Sequence, residues 1–569
     1  MSDNPDVIVV GAGGGGAVCA KEIGEQGLKV LVLEAGPWYG NKKWPEPNQE
    51  RGRTSSSDPN DLDIGLYKKQ HNMYENNMND IVTGLFRWGP ADRRRPPWFR
   101  SIPQRGFFWQ NSGVGGTTQH YWGISVRAFP DAIDSHWPLS YNEMIPYYEK
   151  VEATLPVEFA ATTTKEELFY YGAKKAGFSL NNTLDVTKPG YRPNVNAILP
   201  PNKHLMNPDY SLQQLSRMEG CTLAGFCING CRVGPTVERI AKRSTLVSYV
   251  PLALKTGNVS VRPNAFATKI ITEDHHEEGT RAIGLEYRDT WTGRYEECYA
   301  KVIVLAGGCA ETPRLWLNSG LPRNPWVGKG LTTHYFDWVT GIFDERYLIN
   351  LIGEPSASPF VGNTSGARLD YPGLGAMHVS GVSPGLTALF TYGFSEAGYH
   401  FLNIPGPDKP WDYVGRLVGS DLKQYMASYR QTMSILILTD DQVNMKNGIT
   451  VNPAIQDEHG PVPVFHYSST TADEKKRNKL AAIAADILKQ AGAKTVIRSD
   501  WPPGLAIHAA SNMRMGFVVD TSCEAYQVKR LYLADNTVQY NGLGGPNPTL
   551  TTQMLATRTA DKIVEKYFS

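Results

Sequence analysis

Two groups of residues in this chain have types and spacings that chemistry requires. The first is Gly11, Gly13 and Gly16 in DVIVVGAGGGGAV, a G-x-G-x-x-G turn, with Glu34 lying 23 residues after Gly11. The first glycine allows a tight turn, the second lets a pyrophosphate approach the backbone, and the third permits close helix–strand packing. The carboxylate of Glu34 can accept hydrogen bonds from a ribose diol. A glycine-rich turn that binds nothing leaves Glu34 unexplained. The second group is Cys221, Cys227 and Cys231, spaced C-x5-C-x3-C, with Gly225 and Gly230 permitting tight turns between them. Thiolates this close can converge on one soft metal centre, and three of them suit a three-iron cluster. A loop of free thiols, or one disulfide and a spare cysteine, is the other reading.

Local elements must position these residues. The β-branched run at 7–10 reads as a buried strand, 17–26 as a helix, and 30–33 as a second strand that ends in Glu34. The acid favours an unphosphorylated adenosine ribose, hence FAD or NAD. Near the other end, RLYLAD at 530–535 is a short apolar strand ending in Asp535. GLGGPNPTLTT at 542–552 then opens a helix towards Lys566, with backbone N–H groups suited to a ring carbonyl or phosphate. A nucleotide motif completed by distant C-terminal segments points to a large flavoprotein rather than an NAD domain.

The whole chain agrees with an enzyme. It has 569 residues, 41% of them apolar and 20% charged, which excludes a disordered polypeptide. Lys plus Arg number 57 and Asp plus Glu 56, so a net charge of +1 steers neither nucleic acid nor an anionic membrane. The longest uncharged stretch, 371–395, carries Pro372 and Pro384 and makes a poor spanning helix. No basic leader precedes the first strand, so the expectation is a cytoplasmic protein, with export beside a partner subunit left open. Seven cysteines argue against a disulfide framework, and Cys19, Cys298, Cys309 and Cys523 read as packing residues.

Five segments in order resemble the glucose–methanol–choline (GMC) oxidoreductases. They are VIVVGAGGGGAV with VLVLEAGP, NSGVGGTTQHYWG, WPLSYNEMIPYYEKVE, VIVLAGGCAETPRLWLNSG, and HAASNMRMG with GGPNPTLTTQMLA. The flavin loop is most similar to bacterial gluconate or sugar dehydrogenase subunits and to pyranose oxidases. The resemblance implies an α/β fold with a Rossmann-like FAD domain and a discontinuous substrate domain on an antiparallel sheet. It divides the chain into a flavin part at 1–152, an insertion at 153–214 that shapes the substrate entrance, a second flavin part at 215–335 with the cysteine loop, a substrate domain at 336–498, and a third flavin part at 499–569.

The same resemblance assigns roles. Alcohol oxidation needs a base near neutral pKa, and His508 stands where the family places its catalytic histidine. Asn547 in GPNP stands where the family has a histidine or asparagine that orients the substrate oxygen. Around them, Gly115, Gly116 and Thr117 of the flavin loop, with Asp535, Pro548 and Thr549, complete the cofactor site begun by Gly11, Gly13, Gly16 and Glu34. His120 is placed for either a covalent bond to the flavin or a noncovalent contact with its edge. His334 in LTTHYFDW reads as structural support. Ser511-Asn512 replaces the family's usual Gly-Thr. The cysteine trio resembles the subset with a three-iron cluster, although Ala224 stands where the common pattern has another cysteine.

The expected activity is oxidation of a CH–OH group of a sugar, glycoside or polyol to a ketone, with FAD as hydride acceptor. The alternatives are an oxidase of another alcohol class that makes hydrogen peroxide, and a non-redox lyase with structural FAD. An electron-accepting protein is the expected partner if the cluster is present. Aromatic residues at 11% suit stacking on sugar faces, although protein cores use them too.

Overall fold

The structure is a computed structural model and describes residues 4–43, 56–70, 81–83, 86–87, 98–99, 107–201, 220–225, 227, 231, 240–290, 292–385, 387–388, 391, 399–402, 413–499 and 507–569. Arg93, Arg94 and Arg95, read in the sequence as a solvated loop, lie outside the described residues.

The run VIVV forms the strand Val7–Val10, in which Val7, Ile8 and Val9 have no exposed surface. Residues apolar on both faces suit the middle of a parallel sheet covered on both sides. Five strands make that sheet, in the order Val259–Arg262, Val30–Leu33, Val7–Val10, Val302–Leu305 and Leu531–Leu533. Every neighbouring pair in it is parallel. The helix Gly16–Glu25 leaves the first strand and packs against the last helix, Thr549–Tyr567, so the two ends of the chain close one domain. A three-stranded antiparallel sheet, Ala265–His275, Gly279–Asp289 and Tyr295–Tyr299, lies beside it.

The other large sheet has eight strands among the described residues, and all its pairs are antiparallel. Its centre is Thr495–Ser499, Phe336–Ile342, Thr432–Thr439, Gly375–Ser380 and Ala367–Tyr371. Strand alternation sorts its two faces. Val339, Met377, Val379, Ile435 and Val496 enter a buried core with Leu480, Ala484, Ile487 and Leu488 of the helix Thr471–Gln490. The three large side chains of that helix stripe contribute about 1.5–3 kcal/mol each on full burial. Thr470 and Asp473 form a capping box that starts this helix. The segment 153–214 supplies the helix Thr164–Lys175 over the same core and the edge strand Gly190–Pro193. On the opposite face, cross-strand pairing brings His378, Leu436 and Trp338 into one row, and Ser380, Ser434 and Thr340 into the next. That face looks towards the parallel sheet. No helix among the described residues is long and apolar enough to cross a membrane.

Candidate active site

A cavity of about 310 Å³ is lined by both large sheets and the turns between them. One end is built from backbone. A Cβ on Gly16 would fall 1.9 Å from the carbonyl oxygen of Gly11, so only glycine lets the helix start this close to the strand. Gly16 therefore packs behind the turn, while Gly11, Gly13 and Glu34 line the cavity itself. The carboxylate of Glu34 accepts N–H bonds from Ala12, Gly36 and Gly113, each at 2.9 Å. A carboxylate has roughly four accepting positions, so one remains for a hydroxyl.

Asp535 also lines the cavity, but its oxygens are already engaged. It accepts from the Gly308 N–H at 2.8 Å, the Thr312 hydroxyl at 2.6 Å and the Thr537 N–H at 3.0 Å. The Thr537 hydroxyl bonds it as well. Burial pushes its carboxyl above the usual carboxylate range. Asp535 thus ties the start of the helix Gly308–Asn318 to the strand Leu531–Leu533.

The middle of the cavity holds Gly116, Thr117 and His120, with Pro548 and Thr549 at the start of the last helix. Gly115 is not in the lining; its N–H donates to the Ala12 carbonyl at 2.9 Å, and its carbonyl accepts the hydroxyls of Thr118 and Thr245. It joins the flavin loop to the first glycine turn. Beneath this loop lies Lys242, whose fully buried ammonium donates to the carbonyls of Gln119 at 2.7 Å, Tyr121 at 2.9 Å and Cys227 at 2.6 Å. Burial draws its pKa down to about 8. The residues on either side of His120 are therefore held by one cation, and nothing in the sequence signalled that contact.

The other end is built from side chains. Thr332 and Ala510 exchange two N–H···O bonds of 2.9 Å, and this clamp brings His334 beside His508. Their Nδ1 atoms lie 2.9 Å apart, and Nε2 of His334 lies 3.0 Å from the Gly542 carbonyl. A carbonyl only accepts, so Nε2 of His334 carries the hydrogen. Burial pushes the pKa of His334 down to about 4, leaving it neutral with a bare Nδ1. The hydrogen between the rings therefore sits on Nδ1 of His508. Burial first, then His334 and His378, hold His508 well below the ordinary histidine pKa. Its Nε2 is consequently bare, and it accepts the Asn547 side-chain N–H at 3.2 Å. Gly545 lets this loop pack against the substrate sheet, because a Cβ there would meet Gly375 at 2.5 Å. Asn547 Oδ1 is buried and has no protein partner among the described residues.

Aromatic walls surround this end. Phe336, Trp338, Leu436 and Ile507 line it, with Trp122 opposite Trp338 at a ring distance of 6.3 Å. His378, which the sequence reading missed, lines it too. Its signal was the alternation Ala376-His378-Ser380 against Met377-Val379 within one strand. His334 does more than support the fold, since it sets which nitrogen of His508 is basic.

The glycine cradle, the accepting position left on Glu34 and the orphaned Asn547 Oδ1 fit a bound dinucleotide and an oxygen-bearing substrate. The cysteine trio is a separate cluster packed with Ile198 and Ala241. The Cys221 thiol lies 3.3 Å from Asn363 Oδ1, and Cys227 Sγ accepts the Thr364 N–H at 3.4 Å. Burial pushes the thiols of Cys221 and Cys231 up. Among the described residues no group of three or more His, Cys, Asp or Glu side chains is arranged to hold a metal ion. The trio does not fit a cluster in this arrangement.

Comparison with known proteins agrees with the geometry. Residues 210–336 match the N-terminal and 444–556 the C-terminal domain of the GMC oxidoreductases, and 6–43 match an FAD-binding domain. The chain is 24% identical to the 2-methyl-1,2-propanediol dehydrogenase of Mycolicibacterium austroafricanum, covering 100% of this chain and 96% of that protein. It is 23% identical to the gluconate 2-dehydrogenase flavoprotein of Pantoea cypripedii over 64% of this chain and 62% of that one. A formate oxidase structure from Aspergillus oryzae superposes with a TM-score of 0.59 at 12% identity, covering 99% of this chain and 98% of that chain. That likeness shows the shared fold.

Proposed function

We propose that this chain, which carries both GMC oxidoreductase domains and an FAD-binding domain, oxidises a CH–OH group of a sugar, glycoside or polyol to a ketone. The observation that carries the reading is the ordered run from the Gly542 carbonyl through His334 and His508 to Asn547, which leaves an unprotonated Nε2 at the cavity. Relatives that act on a diol and on gluconate support a polyhydroxylated substrate.

Gly11, Gly13 and Glu34 would hold the nucleotide half of FAD, with Gly16 packed behind them and Asp535 bracing that end, and Gly116, Thr117, His120, Pro548 and Thr549 would hold its ring half. When bound, FAD supplies a two-electron acceptor for the hydride that leaves the alcohol carbon. The protein handles the proton. The Asn547–His508 bond of 3.2 Å is at the long end for N–H···N contacts, so a substrate hydroxyl can enter between the two side chains. Its oxygen then accepts from Asn547 Nδ2–H, and its O–H donates to His508 Nε2. As the hydride departs, the proton passes to Nε2, and Nδ1–H of the resulting imidazolium still donates to His334. Phe336, Trp338 and Leu436 keep bulk water from this transfer.

No step runs through an iron–sulfur cluster, because the cysteine trio does not fit one; iron content per chain tests this directly. Molecular oxygen or a partner protein would be the final electron acceptor, and peroxide formed in air separates the two. His120 supports either a covalent or a noncovalent flavin contact, which colour retained in an acid-precipitated pellet decides.

The test of the whole reading is anaerobic absorption with a panel of sugars, polyols and simple alcohols. Wild-type protein is expected to lose its flavin bands with at least one substrate, and His508→Ala to keep FAD yet stay oxidised. Failure of every alcohol to bleach the wild-type flavin would falsify redox catalysis and favour the non-redox use of the fold.

A further inference from the structure

His378 is a buried imidazole that the proton chain does not use. It stands on the Gly375–Ser380 strand, on the face that carries Leu436 and Trp338, and lines the same cavity as His508 and Asn547. Its Nδ1 lies 3.2 Å from the Ser365 hydroxyl, which in turn accepts the Asn194 side-chain N–H at 2.8 Å. Asn194 donates in that contact, which leaves the single hydroxyl hydrogen of Ser365 available to Nδ1 of His378. In that tautomer the imidazole hydrogen is on Nε2. Burial, then the Arg368 guanidinium, draws the pKa down to about 3, so this histidine stays neutral. Yet Nε2 has no hydrogen-bond partner among the described residues. A buried donor without a partner is costly, and native structures rarely leave one without a reason.

The neighbouring walls offer it nothing. Trp122 stands against the imidazole at right angles, with ring centroids 5.8 Å apart, and Leu436 and Trp338 follow across the sheet. The same cavity holds an unpartnered acceptor, Asn547 Oδ1. An orphan donor and an orphan acceptor in one apolar-walled cavity match a hydroxyl group, which both accepts and donates. The reacting hydroxyl is engaged by Asn547 Nδ2 and His508 Nε2, so this second hydroxyl belongs to another carbon of the substrate.

The geometry points to His378 as a specificity-determining residue that donates its Nε2–H to a second oxygen of the substrate, selecting diols and sugars over simple alcohols. This rests on the redox reading above. It makes recognition two-point, with the oxidised carbon held by His508 and Asn547 and the companion oxygen held from the substrate sheet. A site built to bond a hydroxyl rejects the analogue lacking it, because its own buried donor then stays unpaired.

Rapid anaerobic flavin reduction of the holoenzyme with butan-2-ol, butane-2,3-diol and butane-1,3-diol tests this. Wild-type protein should reduce about tenfold or more efficiently with at least one diol than with butan-2-ol, the ratio one retained hydrogen bond supports. His378→Leu should erase that ratio, largely through weaker diol binding. His378→Gln, which keeps an N–H donor, should restore part of the preference, and it guards against a Leu variant that folds poorly. Equal losses for the diols and butan-2-ol in both variants would make His378 a scaffold residue and overturn the inference. Absence of any diol preference in the wild type would also overturn it. If no alcohol at all bleaches the flavin, the redox reading fails first and takes this inference with it.

Discussion

The two ends of the cavity are built on opposite principles. At the nucleotide end, the carboxylates of Glu34 and Asp535 are each met by backbone N–H groups, and little polar capacity is left over. At the substrate end, His334, His378, His508 and Asn547 come from four separate stretches of chain, and two of them keep an orphaned polar atom. The first end is a preassembled cradle whose binding energy lies in main-chain geometry. The second holds costly buried groups in readiness for a ligand. Such unpaired groups persist where function requires them and the fold supplies the compensation.

The sharpest break between the two ends is expected from His508→Ala. Positioned acid–base groups contribute typically 10²–10⁴-fold, so flavin reduction should fall by about three orders of magnitude with FAD content unchanged. Stopped-flow reduction alongside the flavin-to-protein absorbance ratio checks both halves. Loss of FAD in this variant would mean that the two ends are not separable, and the comparison would collapse.

Glu34→Gln should do the reverse. Gly36 and Gly113 share one oxygen of Glu34, and Ala12 takes the other. A glutamine can serve the shared position, but its amide N–H groups then face the Ala12 N–H. Leaving one buried donor unpaired costs about 1–3 kcal/mol, which loosens FAD roughly tenfold and lowers the melting temperature. The reduction rate per bound flavin should hold within about twofold. A variant that binds FAD normally but reduces slowly would reverse the assignment of the two ends.

This contrast also explains what could be read from the sequence. Gly11, Gly13, Gly16 and Glu34 act through local backbone geometry, so their spacing along the chain reports their job. The strands Val7–Val10 and Val30–Leu33 were equally legible as short apolar runs. His508 and Asn547 were legible only through their family context, since nothing nearby in the sequence marks either as catalytic. The contact of His334 with His508 depends on pairing Thr332 with Ala510, 178 residues apart. His378 depends on which face of an eight-stranded sheet turns towards the cavity. Lys242 escaped notice because three carbonyls from two loops converge on it, and carbonyls leave no mark on side-chain identity.

Acid should expose the substrate end before the nucleotide end. His334 falls from an ordinary pKa of 6.5 to about 4, and His378 from 6.5 to about 3, both through burial. The unfolded chain therefore binds more protons than the native one below pH 6.5. Stability from these groups is full above that value and is lost as pH falls through their folded pKa values. His334 alone accounts for on the order of 3 kcal/mol by pH 4. Asp535 has the opposite sign, since its raised pKa makes the native state the better proton binder and favours folding at low pH. Denaturant midpoints between pH 8 and 4 should fall steadily below 6.5, and His378→Leu should flatten the decline. Catalysis should follow the same logic. His508 keeps its basic form through pH 6.5, so flavin reduction should not halve there as it would with an unshifted histidine.

The smallest expected effect tests how the clamp under His508 is maintained. Ser511 adopts a left-handed φ of 71°, which suits glycine, and the family usually has glycine there. A side chain in that region costs about 1–2 kcal/mol. Ser511 recovers part of the cost through its hydroxyl, which lies 3.1 Å from that of Thr332, and its N–H donates to the Asn536 carbonyl at 3.1 Å. Ser511→Gly relieves the strain but loses the hydroxyl contact and adds freedom to the unfolded chain, so stability should change by less than about 1 kcal/mol. Ser511→Ala keeps the strain and loses the contact, so it should be less stable than the glycine variant by roughly 1 kcal/mol. Melting temperatures of the two variants decide the order. If alanine proved the more stable, the left-handed conformation would not be what the family's glycine protects. The Thr332–Ala510 clamp would then owe its geometry to backbone pairing alone, as the nucleotide end does.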